Sequence, residues 1–186
     1  MGMAIAYSPF FFAIHYPMKW MGYPTTGFSM PYRIAIMLAC LFYAITALLL
    51  LRKILARYFD DRIAALTLVT LVLATNLIYY ITYEPGMPHA FNFAFNVYFL
   101  YLTIRWHEKP GFLNSVLLGL ITGLISLIRP TDAIIALIFI LWKVSNFGAL
   151  KFNIQLFLRK WPLILTIMFF AILVWVPQML YWKHFT

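Results

Sequence analysis

Acidic residues are scarce in this sequence. Only Asp60, Asp61, Glu84, Glu108 and Asp132 occur in 186 residues. Cysteine is scarcer still. Cys40 stands alone, which excludes an intrachain disulfide and a cysteine-based metal cluster. Charged residues of both signs make up 10% of the chain, against roughly 25% in a soluble domain. A water-facing fold has too little polar surface to draw on here. A Walker loop, a dinucleotide fingerprint, a hydrolase elbow and metal-ligand spacing are also missing. No cofactor is therefore identified, and the sequence supports no divalent metal.

What is present is apolar. Hydrophobic residues make up 65% of the chain, in recurring runs of membrane length. The runs predict an all-α polytopic transmembrane bundle of about five to seven membrane helices. Helices are expected over 34–51, 63–82, 90–104, 114–128, 131–143 and 161–178, all within one partial transmembrane domain spanning 1–186. Residues 1–16, broken by Pro9, fall short of the roughly 20 needed to cross and read as a surface or membrane helix. Two short runs, Asn114–Ile128 and Thr131–Lys143, flank Arg129-Pro130 as a helical hairpin. Gly119 and Gly123 stand four apart, the small-xxx-small spacing that lets helices approach closely.

The net charge of +9 does not point to nucleic acid, because the cations are scattered between apolar runs. Ten fall on one assigned side: Arg52, Lys53, Arg57, Arg62, Arg105, Lys109, Lys143, Lys151, Arg159 and Lys160. Four fall on the other: Lys19, Arg33, Arg129 and Lys183. Lys/Arg excess marks the cytoplasmic side. The expectation is an integral membrane protein, in a bacterial inner membrane, with 52–62, 105–111 and 143–160 cytoplasmic. Ser145–Lys160, basic with interleaved apolar residues, reads as an inner-surface segment.

On the outward side lie two polar turns. Tyr83-Glu84-Pro85-Gly86-Met87-Pro88-His89 interrupts apolar sequence, and Arg129-Pro130-Thr131-Asp132 separates the hairpin helices. Ionisable groups near hydrocarbon are costly and are usually paired or functional. Glu84 reads as a helix-end charge or a pocket carboxylate, and Asp132 as a helix cap or a ligand group. Arg129 either snorkels to headgroups or holds a phosphate. His89, Asn92 and Asn96 form a polar stripe at three- and four-residue spacing, as expected of a helix facing a wet cavity. The substrate-binding candidates are Glu84, His89, Asn92, Arg129 and Asp132. Glu84 is the one candidate for catalysis.

The order of these pieces resembles the GT-C superfamily of membrane glycosyltransferases, near family 39 and the protein O-mannosyltransferase-like members. The likeness runs through Gly2-Met3-Ala4-Ile5-Ala6-Tyr7-Ser8-Pro9-Phe10-Phe11 and the span ending Leu51-Arg52-Lys53-Ile54-Leu55-Ala56-Arg57-Tyr58-Phe59. It continues through Thr82–His89 and the segment from Gly119 to Thr131. The resemblance implies sugar transfer from a polyprenyl-phosphate donor to an acceptor lipid, glycan or protein on the outer membrane face. It also implies a general base in the first outward loop. No acid precedes Asp60, so that base is expected upstream of Met1 and the chain is expected to be a fragment of a longer protein. The alternative is a non-catalytic membrane subunit, or a lipid or solute transporter bundle, since short interrupted helices also mark transport sites.

Overall fold

The computed structural model describes residues 1–185, with the side chain of Phe185 left aside. Every regular element among them is helical. The α-helices are α1 (Gly2–Trp20), α2 (Met30–Leu55), α3 (Asp61–Leu73), α4 (Leu77–Thr82), α5 (Pro88–Glu108) and α6 (Phe112–Ile128). After a 3₁₀ helix over Pro130–Ile135 come α7 (Ala136–Ile140), α8 (Phe147–Arg159) and α9 (Trp161–Phe185). The chain divides into two compact units, Gly2–Ala94 and, with Met1, Phe95–Thr186.

Within Gly2–Ala94, α2 buries an unusual set of side chains. Tyr32, Ala35, Ala39, Cys40, Ala44, Ala47 and Ile54 face inward, while Leu38, Phe42, Ile45 and Leu49 are exposed. Helix α1 packs on α2 through aromatic side chains, Phe11 on Tyr32 and Phe10 on Phe42 and Tyr43. Two polar contacts fix the register. The Tyr43 hydroxyl donates to the Ala6 carbonyl at 2.9 Å, and His15 Nδ1 meets the Tyr32 hydroxyl at 2.9 Å. Pro31 opens α2, where a missing N–H costs nothing. Asp60 caps α3 by accepting from the Ile63 amide.

Within Phe95–Thr186, α6 packs along α9. A Cβ on Gly119 would lie 2.5 Å from the Ile167 carbonyl oxygen, and one on Gly123 would lie 2.7 Å from that of Ala171. Only glycine tolerates that approach. The seam ends in a polar clasp, Trp175 Nε1–H donating to Ser126 Oγ at 2.9 Å. A similar bond, from Trp106 Nε1 to Ser115 Oγ at 2.9 Å, is buried between α5 and α6.

The span expectations need correction. Two helices, Met30–Leu55 and Trp161–His184, are long and apolar enough to cross a membrane, not five to seven. The segment 63–82 is broken. Asn76 starts a fresh helix, and the Thr75 hydroxyl, bonded to the Leu71 carbonyl, also accepts from the Leu77 amide. These side-chain bonds compete with the helical ladder. The segment 131–143 is a 3₁₀ helix over Pro130–Ile135 followed by five α-helical residues, set apart from α6 because Pro130 drives Arg129 out of the α region. Helix α5 has the length, at 21 residues, but His89, Asn92, Asn96, Arg105 and His107 dilute its apolar character. The N-terminal helix runs past 16 to Trp20 despite Pro9 and Pro17. The two qualifying helices support membrane association. No residue in the apolar stretch of α9 is buried by the protein itself.

The α6–α9 seam makes a direct prediction. Gly119→Ala is expected to cost about 1–3 kcal/mol, as overpacking does. Gly86→Ala, where nothing lies within 4 Å, should change stability by no more than about 0.5 kcal/mol. Unfolding in mixed micelles checks both.

Candidate functional site

The heptapeptide turn is built from short-range bonds. The Glu84 amide donates to the Tyr79 carbonyl at 3.3 Å as α4 ends, and the Met87 amide closes the turn on the Glu84 carbonyl at 3.0 Å. Pro88 then starts α5. The half-exposed Glu84 carboxylate accepts from the Tyr79 hydroxyl at 3.2 Å, and Tyr83 stacks on Tyr79 with ring centroids 5.6 Å apart. His89 stacks on Tyr80 at 4.0 Å and 25°. One turn further along α5, Asn92 is buried. Glu84, His89 and Asn92 are thus gathered on one turn and the helix that follows it. The turn presents a carboxylate, an imidazole and tyrosine faces.

Asn96, the next member of the stripe, buries Oδ1 without a hydrogen-bond partner. The polar stripe is therefore turned away from the surface at Asn92 and Asn96.

The second candidate turn lies in the Phe95–Thr186 unit. Arg129 ends α6 in an extended conformation, φ −141° and ψ 103°, its amide still bonded to the Ile125 carbonyl at 2.9 Å. A residue before proline is driven out of the α region, so Pro130 ends the helix here. The Arg129 side chain is exposed. Asp132 lies in the first turn of the 3₁₀ helix and accepts from the Thr131 hydroxyl at 3.2 Å. Arg129, not Asp132, holds the capping position. Arg129 and Asp132 share this turn, joined by a bond from the Asp132 amide to the Arg129 carbonyl at 2.9 Å.

A feature that sequence reasoning missed lies at the other end of α5. A cavity of about 190 Å³ is lined by His107, Glu108, Lys143, Trp142, Asn153 and Phe152, among others. Asn153 is 5% exposed and ties α8 to the end of α7, donating to the Trp142 carbonyl at 2.9 Å and the Ile140 carbonyl at 3.3 Å. Lys143 adopts φ 55°, rare for a side-chain-bearing residue. His107 Nδ1 lies 3.0 Å from the Thr103 carbonyl. A carbonyl only accepts, so Nδ1 carries the proton, and Nε2 is left buried without a partner. Its only sequence signal was a histidine among inner-loop charges.

Among the described residues no group of three or more His, Cys, Asp or Glu comes together as a metal site. No protein-family model, curated protein or solved structure matches the chain.

Burial pushes the His107 imidazole below its ordinary value. The bond to the Thr103 carbonyl opposes that shift, and the positive charge of Lys143 adds to it. A histidine held neutral contributes stability that is full above the unfolded value of about 6.5 and is lost as pH falls through the folded value. Stability is therefore expected to drop on acidification below about pH 6.5. His107→Gln should flatten that part of the profile, as read by unfolding in detergent across pH.

Proposed function

We propose that the chain is part of a GT-C-type membrane glycosyltransferase that moves a sugar from a polyprenyl-phosphate donor to an acceptor on the outer membrane face. In this reading the protein sits in a bacterial inner membrane with 52–62, 105–111 and 143–160 cytoplasmic. The observation that carries it is the Glu84 turn. A half-exposed carboxylate hydrogen-bonded to Tyr79, with Tyr80 stacked on His89 beside it, has the makings of a sugar site. Carboxylate and imidazole hydrogen-bond hydroxyls, and aromatic faces pack against the apolar side of a pyranose ring. Polar groups set among aromatic walls are the usual composition of a small-molecule site.

In the reaction the acceptor hydroxyl attacks the anomeric carbon, the anomeric C–O bond to phosphate breaks, and the polyprenyl phosphate leaves with the electron pair. A base takes the hydroxyl proton. Charge builds on the departing phosphate, and a fixed cation lowers that cost. Arg129 takes this role, because guanidinium matches phosphate in bidentate geometry. Glu84, His89 and Asn92 bind the sugar or the acceptor. Asp132 borders the donor phosphate at the Arg129 turn. The general base of the family has no counterpart among residues 1–59, and Glu84 is the candidate within the chain.

The test uses the complete protein with labelled polyprenyl-phosphate sugars. Arg129→Ala is expected to cut transfer at least about tenfold with expression unchanged, and undiminished turnover removes the phosphate role. Glu84→Gln is expected to raise KM for sugar or acceptor if Glu84 binds. A collapse of kcat with KM preserved would make it the base instead.

A further inference from the structure

Helix α8 differs from the other exposed helices in carrying both an apolar ridge and a band of charge. Asn153 and Phe157 pin one face. Asn153 bonds to the end of α7, and Phe157 stacks on Phe139 with centroids 5.4 Å apart. With that face fixed, Phe147, Ile154 and Leu158 stand out as a ridge, exposed by 91%, 49% and 68%. Their spacing of seven and four keeps them on one side of a helix. Beside the ridge runs a band of Lys151, Gln155 and Arg159, which the exposed Phe152 shares, and Lys160 follows. No acid occurs after Asp132, whereas Lys143, Lys151, Arg159, Lys160 and Lys183 do. Only Lys160 separates α8 from α9, whose first residue, Trp161, is exposed. If α9 crosses a bilayer, α8 ends at the headgroup level, where tryptophan is enriched.

We infer that α8 is seated on an anionic bilayer surface, its Phe147–Ile154–Leu158 ridge in the acyl boundary and Lys151, Arg159 and Lys160 on lipid phosphates. The inference rests on α9 being a membrane span. A helix with an apolar ridge and flanking cations binds in the interface plane. Cations close to an anionic surface add to that binding and are screened by salt. Uncharged zwitterionic lipid offers the ridge but not the charge.

The test places nitroxides in the full chain, in nanodiscs of phosphatidylcholine alone or with phosphatidylglycerol. The background is Cys40→Ala, with single labels at Ile154→Cys, Gln155→Cys and, on α9, Ile172→Cys. Paramagnetic resonance compares accessibility to lipid-dissolved oxygen and to an aqueous nickel chelate. With phosphatidylglycerol, the oxygen-to-nickel ratio at 154 should exceed that at 155 by at least about threefold. It should fall toward the value at 155 in phosphatidylcholine alone, in high salt, or with Lys151→Gln, Arg159→Gln and Lys160→Gln combined. Equal water access at 154 and 155 with a lipid-embedded 172 overturns the seating of α8 while the span stands. Lipid access at 154 indifferent to headgroup charge and to the triple variant overturns the anionic partner. Water access at 172 overturns the span itself, and the inference with it.

Discussion

Close approach of helix backbones is the constraint on which the α6–α9 packing depends, and small buried residues recur on α2. In Phe95–Thr186 the contact is carried by Gly119 and Gly123, whose missing side chains leave room for the carbonyls of Ile167 and Ala171. In Gly2–Ala94 the residues that α2 buries are mostly small: Ala35, Ala39, Cys40, Ala44 and Ala47. Where hydrocarbon surrounds a helix, burying leucine gains nothing over leaving it in lipid. Packing then favours the residues that let backbones meet. That explains why α2 turns alanines inward and leaves Leu38, Phe42, Ile45 and Leu49 outside, the reverse of a water-soluble core. The reversal agrees with the two helices long enough to cross a membrane, and it is independent of their length.

Backbone satisfaction is the second constraint, and it explains the breaks. An apolar medium tolerates few unpaired amides and carbonyls, so each interruption is bridged locally. Thr75 takes up the Leu71 carbonyl and the Leu77 amide. Asn153 takes up the carbonyls of Ile140 and Trp142 where α7 ends. The tryptophan clasps to Ser115 and Ser126 satisfy indole N–H groups at helix seams. Small hydroxyls serve twice in this chain, since each also bonds a carbonyl of its own helix, Gly111 for Ser115 and Gly123 for Ser126.

The sequence disclosed the helical class, the amphipathic stretch before Trp161 and the seam at Gly119 and Gly123, because each rests on composition or local spacing. Helix breaks were harder to read. Thr75-Asn76 is a weak punctuation inside an apolar run, and its effect depends on which bonds the hydroxyl finds. The short 3₁₀ continuation after Pro130 was hidden for a different reason. Hydrophobicity predicts that a segment is apolar, whereas its pitch depends on packing against α6. The Trp175–Ser126 clasp joins residues 49 apart, and no local pattern encodes such a pair. At the candidate site, the gathering of Glu84, His89 and Asn92 was legible from their closeness in sequence. The tyrosine partners were not singled out, because Tyr79 and Tyr80 lie inside the apolar run read as a span over 63–82.

Those tyrosines change what the Glu84 turn is suited to. A bare carboxylate at a helix end is most cheaply explained as a solvated charge. Here the carboxylate accepts from Tyr79, and Tyr79 is itself stacked with Tyr83. His89 lies flat on Tyr80. Ordering these side chains costs conformational entropy, and stacking returns part of that cost only where the rings are held together. The short α4 helix supplies that support, because residues three and four apart share a face. Its break from α3 at Ala74–Asn76 therefore has a structural consequence at the turn. It lets Leu77–Thr82 and the capping Tyr83 present Tyr79, Tyr80 and Tyr83 to the Glu84 turn without inheriting the axis of the helix before them. An unbroken helix over 63–82 would have tied the direction of those rings to α3.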